Sequence, residues 1–251
     1  MPAPIALQLY TVREAMAKDF AGVVKKVADT GYIGVEPAGF PGTTPEKASK
    51  LFKDLSLVVS SAHLPMPLGL NKDEVLETVA LLDCKRIVSG LGPDQFKTMD
   101  LVKQSCDTFN EASAVAVENG LSFGLHNHWW EFGQVDGRYV YQIMLELLDP
   151  AVFFEIDTYW VQTAGPDAAE VVRELGARTP LLHIKDGPCK KGEPMVAVGD
   201  GIMDFPAIVD AAAGSTEWMI VELDECATDM IETVEKSYAY LVGEGLARGN
   251  K

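Results

Sequence analysis

The sequence predicts a single-domain α/β protein, a (β/α)8 TIM barrel spanning residues 1–251, on three observations. Eight short apolar runs alternate with segments of helical spacing, and eight such units in about 250 residues is the size and rhythm of that barrel. No Pro/Ser-rich linker or abrupt change of composition divides the chain. All four histidines (His63, His126, His128 and His183), with Glu36, Asp157 and Glu222, fall at the downstream ends of the apolar runs. Neighbouring parallel strands would bring these side chains together at one end of one sheet, where a barrel builds its site.

The runs are Ile5 to Leu9, Tyr32 to Glu36, Leu57 to Ala62, Arg86 to Val88, Leu121 to His126, Val152 to Ile156, Pro180 to Ile184 and Trp218 to Glu222. Continuous apolar stretches such as Leu57-Val58-Val59 and Pro180-Leu181-Leu182 suit strands buried on both faces. Between the first two runs, Phe20, Val23, Val24 and Val27 line one helical face while Lys25, Lys26 and Asp29 face water, and Thr30-Gly31 supplies a stop. Gln95 to Asn119 repeats that pattern and stops at Asn119-Gly120. The rival architecture is an open doubly wound sheet. It expects a glycine-rich phosphate turn after the first strand, where Gln8-Leu9-Tyr10-Thr11 stands instead.

Composition narrows the function. A hydrophobic share of 47% with 23% charged residues is that of an ordinary globular chain. A formal charge of −16 argues against a phosphate backbone as partner, because such binding needs clustered Lys and Arg to displace counterions. The cysteines Cys84, Cys106, Cys189 and Cys226 form no CxxC pair, which points to a reduced, cytoplasmic setting without a disulfide framework. No run approaches the roughly 20 apolar residues of a membrane span, so no membrane partner is expected. Association is open, with a homodimer as the expected form if the barrel pairs.

Period two along a strand places His126 with His128, Glu155 with Asp157, His183 with Lys185, and Glu222 with Asp224 on common faces. Asp157, His183 and Glu222 end adjacent strands six to eight. Two carboxylates and an imidazole suit Mn, Mg, Co or Zn as a divalent ion. Taken singly each has an ordinary role: Asp157 as a helix cap, His183 as a core histidine, Glu222 as an ion-pair partner. Their recurrence at one topological place carries the metal reading. The segment His126-Asn127-His128-Trp129-Trp130-Glu131 adds His126 as a fourth ligand and His128 as proton donor or substrate partner, with Trp129 and Trp130 as an apolar wall for a sugar ring. His63 and Glu36, further round the ring, are candidates for acid/base work, and Lys185 and Asp186 for substrate contacts. In Val198 to Phe205, the simplest expectation is a lid or an Asp204 helix cap.

The pattern Gly31-Tyr32-Ile33-Gly34-Val35-Glu36, Ser61-Ala62-His63, His126-Asn127-His128, Glu155-Ile156-Asp157, Leu182-His183-Ile184-Lys185-Asp186, Gly199-Asp200-Gly201 and Val221-Glu222 resembles the xylose isomerase-like TIM-barrel superfamily, and within it the sugar phosphate isomerase/epimerase-like proteins. The resemblance runs from the first strand to the eighth. It implies a divalent metal held by strands five to eight and chemistry on a small polyhydroxylated carbonyl compound. Asp157, His183 and Glu222 carry over as ligands. Strand five departs from the pattern: the expected glutamate is replaced by the His126 segment, leaving His126, or Glu131 in another register, to complete the site. The leading expectation is a sugar isomerase or epimerase working through an enediolate with Glu222 as base. The alternatives are a dehydratase or lyase on a keto-inositol or 3-keto-glycoside, and a non-catalytic carbohydrate-binding barrel.

Overall fold

The computed structural model describes residues 1–251. The strands are Ile5–Gln8, Gly34–Glu36, Val58–Val59 continued in Ala62–His63, Arg86–Ser89, Ser122–His126, Phe153–Asp157, Leu181–Ile184 and Trp218–Val221, here called the first to the eighth. All their pairings are parallel. The first strand pairs with the second on one side and the eighth on the other, which no open doubly wound order with the first strand at its centre would connect to the eighth. The ring is nearly closed through the third strand: Val58–Val59 pairs with the second strand, Ala62–His63 with the fourth, and Ser60 and Ser61 carry the break between them.

Helices Arg13–Thr30, Pro45–Asp54, Lys72–Leu81, Met99–Glu118, Val140–Leu147, Thr158–Ala164, Ala168–Leu175, Phe205–Ala211 and Met230–Gly243 surround the ring. Their starts follow side-chain capping chemistry. Thr44, Thr98, Asp157, Asp167, Asp204 and Asp229 each accept a hydrogen bond from the peptide N–H of the third residue on. The Asp204 cap expected from the sequence is among them. The first helix buries Met16, Phe20, Val24 and Val27 and stops at Gly31, whose φ of 120° lies in the region open to glycine. No helix is long and apolar enough to cross a membrane.

Alternation along the strands sorts the barrel interior into layers. Ala6, Val88, Phe153, Leu181 and Ile220 form a small apolar cluster separate from the main core, with Trp218 packed against it. Gly124 and Gly34 belong to the same level by necessity. A Cβ at Gly124 would stand 2.1 Å from the Phe153 ring, and one at Gly34 would stand 2.8 Å from both Trp218 and the Val58 carbonyl. Two residues further along each strand the side chains turn polar: Gln8, Glu36, His126, Glu155, His183 and Glu222, all buried. The barrel is thus an apolar plug beneath a layer of ionisable groups, and that change of character locates the site.

Some boundaries differ from the sequence reading. The first strand ends at Gln8 because the Gln8 side chain accepts from Tyr10 N–H and starts a 3-10 turn over Leu9–Val12. The segment from Gln95 is helical only from Met99, after the Thr98 cap, with a separate 3-10 turn at Pro93–Phe96. A short antiparallel hairpin, Gln134–Val135 with Arg138–Tyr139, had no sequence signal strong enough to register.

Candidate functional site

Asp157, at the end of the sixth strand, does two things at once. Its Oδ1 accepts from Trp160 N–H at 2.9 Å, capping Thr158–Ala164, while Oδ2 lies 2.9 Å from the Lys185 ammonium. Asn127 fixes the strand end from the side: its Oδ1 accepts from Asp157 N–H at 2.9 Å and its Nδ2 donates to the Asp157 carbonyl at 3.3 Å. His183 Nδ1 lies 2.7 Å from Glu222 Oε2, and His126 Nε2 lies 4.0 Å from Asp157 Oδ2. One donor atom from each of His126, Asp157, His183 and Glu222 falls within 4.8 Å of the others. Two buried carboxylates and two buried imidazoles brought this close from four strands are a donor set that fits a divalent ion.

Lys185 occupies the same space from the seventh strand. It is 1% exposed, with Nζ 2.9 Å from Asp157 Oδ2, 2.9 Å from Glu222 Oε2 and 2.7 Å from Asp224 Oδ2. Burial works against its ammonium, but the three carboxylates outweigh that and hold its pKa well above the lysine range. Burial likewise opposes ionisation of Glu222, and Lys185 and His183 overcome it, keeping Glu222 well below the usual carboxylate range. Glu222 is therefore ionised at neutral pH.

In the same layer lie Glu36 and Glu155, each 0% exposed, with His183 Nε2 3.4 Å from Glu36 Oε1 and 3.1 Å from Glu155 Oε2. Glu36 accepts hydrogen bonds from the Gln8 amide and the Ser61 hydroxyl. Neither oxygen of Glu155 has a hydrogen-bond partner. Burial and the adjacent Glu36 charge push Glu155 well above the carboxylate range.

A cleft of about 900 Å³ opens over the site, with Gln8, His63, His128, Trp130, Glu222 and Asp224 in its lining. His128 and Trp130 stack at 4.1 Å between ring centres and 10° between planes. The Trp130 indole N–H donates to the Leu91 carbonyl at 3.0 Å, fixing this aromatic wall. Burial lowers the His128 pKa to about 4, so at neutral pH its imidazole is uncharged, with one nitrogen to donate and one to accept a hydrogen bond. His63 is partly exposed at the rim, and burial lowers its pKa also.

The remaining sequence candidates sit elsewhere. Trp129 is outside the cleft lining, with the Lys191 ammonium 3.2 Å above its ring. Asp186 is 1% exposed and its carboxylate accepts from the N–H groups of Gly187, Gly199, Gly201 and Met203, so it shapes the following loop. Glu36 is fully buried outside the cleft lining, with its carboxylate against His183. Glu131 accepts from His128 N–H at 2.9 Å and is not among the residues whose donor atoms come within 4.8 Å, a group that includes His126. Burial raises the Glu131 pKa to about 8.

That shift has a measurable sign. The folded state holds the Glu131 proton at pH values where the unfolded chain has lost it, so its contribution is full below about pH 4.5 and is lost as pH rises through about 8. Glu131→Gln should remove this dependence. The stability difference between variant and wild type should change by up to about 1.4 kcal/mol per pH unit across that window, measured by urea unfolding at successive pH values.

Glu155, Gln8 and Ser61 are among the participants to which the sequence assigns no role, as are Asn127 and Asp224. Glu155 was placed on the Asp157 face by period two, and the signal that marks it is a glutamate inside the apolar run Phe153-Phe154-Glu155-Ile156. Gln8 and Ser61 end their runs as neutral polar residues, which look like ordinary strand ends until Glu36 is seen between them.

Comparison with known proteins places this architecture. Residues 24–241 match the model of the xylose isomerase-like TIM barrel family. The chain belongs to that family. A sugar phosphate isomerase/epimerase from Parabacteroides distasonis ATCC 8503 is similar at 27% identity over 99% of this chain and 96% of its own, with a TM-score of 0.83. The probable 3-DHS dehydratase of petrobactin synthesis from Bacillus anthracis shares the fold at 12% identity, 95% and 98% coverage and a TM-score of 0.78. A xylose isomerase-like TIM barrel protein from Mycobacterium smegmatis in complex with magnesium does so at 14% identity, 98% and 98% coverage and a TM-score of 0.67. No curated protein matches the chain significantly.

Proposed function

We propose that this protein is a divalent-metal-dependent isomerase or epimerase acting on an unphosphorylated sugar or keto-sugar through an enediolate. The observation that carries the reading is the meeting of Asp157, His183, Glu222 and His126 within 4.8 Å below an open cleft in a barrel similar to a sugar isomerase/epimerase. Asp157, His183 and Glu222 would hold the ion, with His126 Nε2 available as a fourth donor. When bound, the ion supplies Lewis-acid polarisation of the substrate carbonyl and its neighbouring hydroxyl.

The chain's own groups do the rest. Glu222, ionised and at the cleft floor, accepts the proton from the carbon beside the carbonyl. Lys185, once released from one of its carboxylates, would donate to the oxygen on which charge develops. His128, neutral and stacked on Trp130, hydrogen-bonds a substrate hydroxyl, and a proton returns to carbon either from Glu222 at the neighbouring position or from solvent by way of the rim imidazole of His63 on the other face. The Trp130 face gives the apolar side of a sugar ring a surface to pack on. No Lys or Arg lines the cleft, Lys185 is committed to three carboxylates, and Glu74, Glu222 and Asp224 are in the lining; this charge pattern selects against a phosphate group. The volume, near the top of the roughly 300–1,000 Å³ range of ligand sites, leaves room beyond one ring for a glycoside.

Incubating the Mn²⁺-loaded protein with unphosphorylated ketoses, keto-inositols and 3-keto-glycosides in D₂O tests the proposal. An isomeric product carrying solvent deuterium at the carbon beside the carbonyl is the expected result. An unsaturated product would identify the same deprotonation followed by loss of a β-substituent, as in a dehydratase. No exchange with any of these compounds would contradict both and favour a carbohydrate-binding barrel.

A further inference from the structure

We infer that Glu131 is a positioning residue for His128: from outside the cleft lining it holds the His128 peptide, and so sets the direction in which the imidazole faces the cleft. The need for such a holder begins with the strand. The fifth strand ends at His126, so the peptide groups of His128, two residues on, have no ladder partner, and no other main-chain group pairs with them. Two side chains take that place. Glu131 Oε2 accepts from His128 N–H at 2.9 Å, and Asn127 Nδ2 donates to the His128 carbonyl at 3.2 Å.

The ring itself has no second hold. A working imidazole is commonly aimed by a hydrogen bond to its other nitrogen. Nδ1 of His128 is buried without a hydrogen-bond partner, so the ring takes its direction from its own main chain and from the Trp130 face stacked on it at 4.1 Å. Trp130 is pinned in turn by its indole N–H on the Leu91 carbonyl. The other end of the segment is fixed as well, because the Glu131 carbonyl accepts from Tyr141 N–H at 2.8 Å. His128 to Glu131 is thus a closed brace, with the side chain of its last residue tied to the peptide of its first.

Glu131 acts through His128 and not on substrate. It is 4% exposed and lines, with Phe132, Tyr141, Met144 and Phe154, an inner cavity of about 20 Å³. That volume holds no more than a water molecule. Seating a carboxyl among such side chains is costly, and what it secures here is the peptide of a residue that lines the cleft. Asn127 shares the task, but its side chain also holds both peptide groups of Asp157, so removing it would disturb a proposed metal ligand at the same time. Glu131 isolates the effect on His128.

The inference rests on the proposed function for its effect on turnover, whereas the placement of the imidazole is read without a substrate. Glu131→Gln keeps a neutral acceptor in place, since burial leaves the wild-type carboxyl protonated at neutral pH. Glu131→Leu keeps the bulk and removes the acceptor. Nitrogen-15 signals of the His128 imidazole, assigned with His128→Ala, should shift in Glu131→Leu and stay at the wild-type position in Glu131→Gln. With the substrate found in the D₂O screen, Glu131→Leu should lose about tenfold to a hundredfold in kcat with KM within about threefold, and Glu131→Gln should stay within about threefold of wild type. Combining Glu131→Leu with His128→Ala should be no slower than His128→Ala alone. Unmoved imidazole signals or wild-type kcat in Glu131→Leu, a Glu131→Gln as slow as Glu131→Leu, or additive losses in the double variant overturn the inference and leave the proposed function standing. If the wild type turns over nothing in the screen, the proposed function falls and the imidazole signals alone decide. Should Glu131→Leu fail to fold by circular dichroism, Glu131→Asp, whose carboxyl stops a methylene short of the His128 N–H, takes its place with the same expectations.

Discussion

Glu222→Gln is expected to lower turnover of the substrate found in the D₂O screen by at least about a thousandfold, because it removes the proposed base and one metal-ligating oxygen together. The neutral amide keeps the shape of the side chain and still reaches His183 and Lys185, so the fold should survive, as circular dichroism would show. Two readouts separate this role from general damage. The fall should lie in kcat rather than KM, and the affinity for Mn²⁺ should drop in the same variant. A variant that keeps wild-type kcat with unchanged Mn²⁺ affinity would remove Glu222 from the chemistry.

Lys185→Met is expected to have the largest effect on stability. The lysine ammonium is the only lysine or arginine charge set against Asp157 and Glu222, and it also meets Asp224. Removing it leaves buried carboxylates uncompensated, which costs about 3–5 kcal/mol. For a chain of this size that is a fall in Tm of roughly 6–20 °C. A divalent ion between the same oxygens restores the missing positive charge. Saturating Mn²⁺ should therefore raise the Tm of the variant more than that of the wild type, and the variant should bind Mn²⁺ more tightly. A Tm unchanged within a degree would mean that Lys185 does not neutralise the pair.

Much of this site is legible along the chain because a strand exposes its period. The positions two apart in Phe153-Phe154-Glu155-Ile156-Asp157 or Leu181-Leu182-His183-Ile184-Lys185 pass from the apolar plug to the ionisable layer without leaving one face. That regularity is enough to place Asp157, His183 and Glu222 together before any coordinates. It does not show what happens across strands. Lys185 reads as a substrate contact until its ammonium is seen against carboxylates that end the sixth and eighth strands. Glu36 reads as an acid/base group at the mouth, whereas in the structure it is fully buried outside the cleft lining, with its oxygens taken by Gln8 and Ser61. The third strand reads as one run from Leu57 to Ala62, but its break at Ser60-Ser61 reflects ring closure, a property of the whole barrel. Asp186 and Trp129 fail as cleft residues for the same reason: their partners, the loop N–H groups and Lys191, are set by how the segment after the seventh strand folds back.

Diffraction from crystals soaked in Mn²⁺, with the anomalous signal of the ion, tests the central claim most directly. The account expects a peak at bonding distance, about 2.0–2.3 Å, from Asp157, His183 Nδ1 and Glu222, with the Lys185 ammonium displaced from at least one of its carboxylates. A map without such a peak at saturating Mn²⁺, with Lys185 still bridging Asp157, Glu222 and Asp224, would contradict it.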